Sequence, residues 1–336
     1  MTLRVINDTH IGAIRSAGTT AASQLALRKH ILERFQKLLP AAGDLLINGD
    51  LFDSFSAPMN DVLSTYEILA DWLHEHPSAT LYNSAGNHDL AKSSNVMSSF
   101  QFLGRLLTRQ FPTRYVHIEQ PTEIPYGYVI PHLANQELFN AALSGMPSTK
   151  WLFLHCNLGN KFAETADQSL NLSLPVLDTL PCDEVILGHE HKHRIVDKAV
   201  VVGNQIATSV ADWLGSEPDK YYADLEGKAS QLFRCAEKQK EFIQQDWKDL
   251  KETGALFVQV TGNAAADQAF EVVSAINKFR KLSNAFVVSN AVDVTADDGS
   301  VFSANLESVK AFSILQSLKE SLTAGEYNKI KELVHD

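Results

Sequence analysis

The chain has 336 residues, 45% of them hydrophobic, and a formal net charge of −11. That length supports one large catalytic domain plus a small second one, and without an 18-residue apolar run nothing in the sequence is expected to span a bilayer. The acidic balance holds on both sides of residue 250, which speaks against a broad basic surface of the kind that binds nucleic acid, although bound divalent cations reverse the local sign. Cys156, Cys182 and Cys235 lack C-x-x-C spacing and read as reduced, structural thiols. The N-terminus enters an apolar strand at once, without the residue order of a signal peptide, so a cytoplasmic location is expected.

The first short apolar run, over residues 3–6, reads as a buried strand and leads to Asp8-Thr9-His10. A small-residue loop over 12–22, carrying Arg15, reaches Ser23, a candidate N-cap for a helix whose apolar stripe is Leu25, Leu32, Phe35 and Leu39. A strand over 45–47 delivers Gly49-Asp50-Leu51-Phe52-Asp53. Asn60 is a candidate cap for a helix bearing Val62, Leu63, Tyr66, Leu69, Trp72 and Leu73, ended by Pro77. A strand over 81–82 then leads into Gly86-Asn87-His88-Asp89. This alternation implies right-handed crossovers and neighbouring parallel strands.

A polar loop and a helix with Phe100, Phe102, Leu103, Leu106 and Leu107 follow, after which Pro121, Pro125 and Pro131 break the stretch 115–133 into short strands of a second sheet layer. Residues 138–143 read as helix, 151–154 as a strand ending at His155, and 157–173 as a polar loop with Lys161. The run 185–187 delivers Gly188-His189-Glu190-His191; stretches at 194–196, 199–202 and 221–225 read as a hairpin and a further strand. Residues 236–253, rich in Lys, Glu, Gln and Asp, read as a helical linker. Beyond it a strand (256–261), a helix (266–279), a strand (286–294), a helix (306–322) and a last short helix make a small α+β unit without a ligand cluster. The expected domains are 1–240 and 250–336.

Five strand ends thus bring Asp, His and Asn to one place, as the carboxyl edge of an α/β sheet does. Two divalent metals about 3.5–4 Å apart can clamp the attacking and leaving oxygens of a phosphoryl transfer, given hard O and N ligands and a bridging carboxylate. Asp8, His10, Asp50, Asn87, His155, His189 and His191 supply that set. Cys156 follows His155 on the strand and should face the other way, so Mn, Fe or Zn held by imidazole and carboxylate is expected rather than a thiolate zinc. His88, one residue after a ligand, is left for proton chemistry.

The order D-x-H, G-D-x-x-D, G-N-H-D, a lone His and G-H-x-H, spread over positions 8 to 191, resembles the calcineurin-like metallophosphoesterases. The resemblance implies a two-layered β-sandwich flanked by helices, a first metal on Asp8, His10, Asp50 and His191, and a second on Asp50, Asn87, His155 and His189, with Asp50 bridging. Ser54-Phe55 after Asp53 departs from the Arg-Gly of the protein Ser/Thr phosphatases. DTHIG and GDLFD instead resemble the SbcD-type double-strand-break repair nucleases and their phage recombination equivalents, which carry a small capping domain after the phosphoesterase domain. Val202-Gly203-Asn204-Gln205 departs from that group, where a Gly-Ser-Pro type of turn is commoner.

The resemblance implies a DNA exonuclease, with single-strand endonuclease activity a further expectation, using two divalent ions, Mn²⁺ first and Mg²⁺, Fe or Zn as alternatives. His88 would protonate the leaving sugar oxygen and Asp53 would orient His88. Arg15, Lys92, Lys161, Lys192, His193 and Arg194 are candidates for DNA phosphates. An SMC-like ATPase, met by the helix over 306–322, and a second copy of the chain are the implied partners; a phage-encoded protein would act in the host cytoplasm. Two other readings stay open: a phosphomonoesterase or cyclic-nucleotide phosphodiesterase with the second domain as a lid, and an idle scaffold whose metals only hold the fold.

Overall fold

Short apolar runs with β-branched residues, too brief for an amphipathic helix, pair into two six-stranded sheets. The computed structural model describes residues 2–15, 17–91, 95–160, 169–215, 219–227, 229–295 and, for the backbone, 301–303. The first sheet has the order Ala229–Ala236, Lys220–Glu226, Leu3–Ile6, Asp44–Asn48, Leu81–Ser84 and Tyr115–Ile118, the last four mutually parallel. The second runs Arg194–Val196, Ala199–Val201, Cys182–Gly188, Thr149–His155, Gly127–Ile130 and Thr122–Ile124, its central four parallel.

The sheets share a core in which Leu3, Val5, Leu46, Tyr82 and Ile118 of the first pack with Val129, Trp151, Phe153, Ile186 and Val200 of the second. On its other face the second sheet buries Leu152, Leu154, Val185 and Leu187 with Phe139 and Leu143 of the helix Gln136–Gly145 and Leu177 of the helix Leu174–Thr179. The helices Ala21–Leu38 and Met59–Glu75 bury Leu27, Ile31, Phe35 and Leu38, and Val62, Leu69 and Leu73. The result is the mixed α/β, sandwich-type core expected.

Some local expectations are corrected. Leu25 is exposed, because the buried stripe of the first helix runs through Leu27 and Ile31 instead. The second helix begins after Pro58, not at Asn60, with no side-chain cap; proline's fixed φ suits helix entry. Tyr115–Ile118 extends the first sheet, parallel to Leu81–Ser84, and only the strands at 122–124 and 127–130 belong to the second layer.

The chain divides into two compact units, Met1–Arg15 with Ala21–Glu241, and Ser16–Thr20 with Phe242–Asp336. The expected helical linker is instead a single turn, Lys238–Glu241, followed by the strand Phe242–Asp246. That strand pairs in parallel with Phe257–Thr261, which pairs with Val287–Asn290. Phe242 is buried and Ile243 and Gln244 are exposed, the pattern of an edge strand that tolerates polar residues, and pairing overrides their helical preference. Val272, Ile276 and Phe279 of the helix Ala269–Leu282 pack with Val258, Val260 and Val288. Residues 16–20 join this unit through Gly18, whose carbonyl accepts a 2.8 Å bond from Val288 N; at φ +76° a Cβ there would lie 2.7 Å from Val288 O, so glycine is required. The helix expected at 306–322 and the last helix lie outside the described residues. No described helix is long and apolar enough to cross a membrane.

Candidate metal centre

Parallel strands in register end at one level: Ile6 pairs with Ile47 and Asn48 with Ser84 in one sheet, and Gly188 with His155 in the other. Beyond these ends the chain must turn, and the turns are stressed. Asp8, His10, Asp50 and His189 adopt φ of 50°, 46°, 50° and 87°, and they are four of the five non-glycine residues with positive φ among the described residues. Such conformations cost about 1–3 kcal/mol each and persist only where the surroundings over-determine them, typically at functional sites. Here Asp8 N donates to Gly49 O at 3.0 Å, His10 N to Asp50 O at 3.1 Å and Ile11 N to Leu51 O at 2.9 Å, locking the first two motifs together.

The side chains gather in two groups, Asp8, His10 and His191, and Asp50, His155 and His189, with ligand atoms in each group within 4.8 Å of one another. His10 Nε2 and His191 Nε2 face each other at 3.0 Å. Asn87 Oδ1 lies 2.9 Å from His189 Nδ1 and 3.2 Å from His155 Nε2, and Asp50 Oδ2 is 3.2 Å from His155 Nε2. All seven residues expected as ligands are therefore brought together.

The donors fit divalent cations. They are oxygen and imidazole nitrogen, while Cys156 sits in the hydrophobic cluster behind the second sheet, where burial pushes its thiol pKa up. Burial lowers the pKa of His10, and takes that of His189 down to about 4, so both present neutral, ligand-competent rings. Burial opposes charge on His155 and Asp50 alike, yet the pair wins: Asp50 raises His155 to about 10, and His155 holds the Asp50 carboxyl far below the usual range. A buried carboxylate here demands positive charge, which a divalent cation supplies while freeing His155 to be a ligand.

Packing leaves no slack. A Cβ on Gly86 would lie 2.1 Å from Asp50 Oδ1 and 2.3 Å from Asp50 N. Gly86→Ala is therefore expected to displace Asp50 and reduce bound metal together with hydrolysis by about 10–100-fold, checked by elemental analysis of the purified variant. Buried Asp89 ties the same turns, accepting from Gly86 N at 2.9 Å, Phe52 N at 3.0 Å and Leu51 N at 3.3 Å. Burial, then the nearby Asp50, raises its pKa to about 7.

The residues expected around the ligands fare differently. His88 is exposed; its backbone N donates to Asp50 Oδ1 at 2.9 Å, and its Nδ1 lies 2.7 Å from the backbone carbonyl of Asp53. A carbonyl only accepts, so Nδ1 carries the proton of this bond and Nε2 is the other ring nitrogen. The Asp53 carboxylate does not orient His88 as expected. It takes two 2.9 Å bonds from Arg15 and lies 3.4 Å from His10 Nδ1. Arg15 is thereby committed rather than offered to phosphate. Arg194 is likewise paired with Glu190 and donates to Leu158 O at 2.7 Å, and His193 Nδ1 lies 2.8 Å from Val201 O. Lys192 is exposed near His191, while Lys92 and Lys161 lie outside the described residues.

Several residues contribute that no motif announced. Asp212 Oδ1 sits 2.7 Å from His191 Nδ1; burial opposes charge on His191, but this bond raises its pKa. Lys220, buried, donates to Asp212 O at 2.8 Å and to Asn204 Oδ1 at 2.5 Å. Gln205 Oε1 accepts from Asn7 N at 2.6 Å, so the buried turn at 202–205 is interior support. His132, beyond the strand Gly127–Ile130, reaches the same edge, its N donating to Ala85 O at 2.9 Å. Only the folded chain reveals these, because none stands at a fixed spacing from its partner.

No curated protein is significantly similar in sequence. Among solved structures the chain resembles a novel archaeal phosphodiesterase, with 14% identity and TM-score 0.34 over 70% of this chain and 99% of that one. It also resembles a cold-active protein-tyrosine phosphatase of a psychrophilic Shewanella species, with 12% identity and TM-score 0.37 over 70% and 78%. Residues 1–193, more than half of the chain and the whole span of the seven gathered ligands, match the calcineurin-like phosphoesterases. That family hydrolyses phosphoesters at a dinuclear metal centre, and this chain belongs to it.

Proposed function

We propose that the protein is a DNA nuclease, an exonuclease with accompanying single-strand endonuclease activity, that hydrolyses phosphodiester bonds with two divalent cations, Mn²⁺ foremost. The observation that carries the reading is the pair of abutting ligand groups at one sandwich edge with exposed His88 beside them. DNA as the substrate rests on the DTHIG and GDLFD motifs and on a small βαβ unit following the core. When bound, the cations supply Lewis-acid activation of the attacking water and stabilise charge on the phosphate. The chain's own part is positional and acid–base. Asp50 anchors the His88 backbone, Asp53 O fixes its tautomer, and a protonated Nε2 passes its proton to the leaving sugar oxygen as the P–O bond to the sugar breaks and the water oxygen forms the new P–O bond, giving up its own proton to solvent. An SMC-like ATPase partner, a homodimer and a cytoplasmic setting belong to the same proposal.

One observation favours a second reading, a phosphomonoesterase or cyclic-nucleotide phosphodiesterase: among the described residues, Arg15 and Arg194 near the site are engaged by carboxylates rather than offered to a polyanion. Purified protein assayed with Mn²⁺, Mg²⁺ or EDTA on end-labelled single- and double-stranded DNA, beside small chromogenic phosphate esters, separates the two. Metal-dependent DNA cleavage is expected; turnover of the small esters alone would replace the nuclease reading with the second.

A further inference from the structure

The two ligand groups are held in place by different means. Around His10 and His191 much of the support comes from side chains, linked in a circuit that one backbone N–H and one longer ion-pair contact complete, while Asp8 is held by the backbone N–H of His189. His10 Nδ1 lies 3.4 Å from Asp53 Oδ1, and Asp53 takes two 2.9 Å bonds from Arg15. Arg15 donates onward to Thr208 Oγ1 at 2.7 Å, and Thr208 N donates to Asp212 Oδ2 at 2.9 Å. Asp212 Oδ1 then meets His191 Nδ1 at 2.7 Å, and His191 Nε2 returns to His10 Nε2 at 3.0 Å. Ser209 N and Oγ also bind Asp212 Oδ2, at 2.9 and 3.1 Å, and Lys220 holds the Asp212 carbonyl from below. The other group lacks such a ring among the described residues: His155 Nδ1 is set by the backbone carbonyl of Asn48 at 3.0 Å.

We propose that Asp53, Arg15, Thr208 and Asp212 form a brace that positions His10 and His191 as a matched pair, presetting one cation site independently of the other. The proposal rests on the metal-centre reading above and adds which residues shape which site. Its physical basis is general: a carboxylate on the far nitrogen of an imidazole fixes the tautomer, turns the near nitrogen to the ligand position and raises its basicity. A ring that includes a bidentate Arg–carboxylate pair resists rotation of either imidazole more than isolated bonds would. Half of the brace, Thr208 and Asp212, lies beyond residues 1–193, so the segment that matches the family does not by itself complete this site. Arg15, Asp53, Thr208 and Asp212 are positioning residues, since none offers an atom to the cation.

The test is a calorimetric titration of metal-free full-length protein with Mn²⁺, paired with the electron paramagnetic resonance signal of coupled Mn²⁺ ions. Wild type is expected to bind two ions. Asp212→Asn is expected to weaken one site by about 10–100-fold, leave the other within a factor of about two and abolish the coupled signal at limiting Mn²⁺. Arg15→Met and Thr208→Val should weaken the same site to a smaller degree. Thr208→Val, which keeps shape and the backbone bond to Asp212, also serves if Asp212→Asn fails to fold by thermal melting. Equal weakening of both sites, or two unchanged sites in every variant, overturns the brace while leaving the metal centre standing. A wild type that binds no Mn²⁺ overturns the metal reading itself.

Discussion

Asp50→Asn is expected to abolish phosphoester hydrolysis and release bound metal. Asp50 is buried in the group with His155 and His189; Oδ1 accepts from His88 N at 2.9 Å and Oδ2 lies 3.2 Å from His155 Nε2. An amide has one acceptor oxygen and no charge, so it neither bridges two cations nor balances His155 when they are absent. Because His155 and Asp50 are both fully buried, losing one partner of the pair should also destabilise the metal-free protein by about 3–5 kcal/mol. Elemental analysis and thermal melting check both parts. A variant that keeps two ions and wild-type rates would remove Asp50 from the bridging position.

His88→Gln is expected to keep both metals and DNA binding yet lose about 10²–10⁴ in rate, the range for removing a positioned proton donor. With Nδ1 bound to Asp53 O, the proposed proton donor is Nε2, and glutamine has no comparable proton to give. The deficit should shrink on a nitrophenyl phosphodiester, whose leaving group departs without protonation. Loss of metal with equal damage on both substrates would make His88 a ligand. Equal damage with metals kept would assign it to binding or stabilising the phosphate.

The gathering of these seven residues is legible in the sequence because each lies at or just beyond the end of a short apolar strand in a fixed local pattern. Their supports are not. Asp212 lies 21 residues from His191 and Thr208 lies 193 from Arg15, and the pairings exist only because the chain returns through the second sheet. Asp53 shows the limit of motif reasoning: its backbone carbonyl took the part expected of its carboxylate, because the carboxylate was claimed by Arg15. The strand at Phe242 was hidden for another reason. Lys, Glu and Gln favour helices in isolation, and edge pairing with residues 257–261 prevailed. Tyr115–Ile118 joins the first sheet rather than the second layer because a strand's sheet depends on crossover geometry, which proline spacing does not encode.

The left-handed backbone at Asp8, His10, Asp50 and His189 bears on how this chain could evolve. Glycine would relieve about 1 kcal/mol of backbone strain at each of these positions, although at Asp50 the loss of the buried partner of His155 outweighs that relief. A lineage freed from catalysis would be expected to lose these side chains first, since mutation alone favours the relaxed backbone. Asp and His at all four positions are instead what selection for the centre would maintain, and this weighs against the idle-scaffold reading on energetic grounds that any homologue can test. Paralogues that keep the sandwich but carry glycine at these sites should gain little stability from added metal.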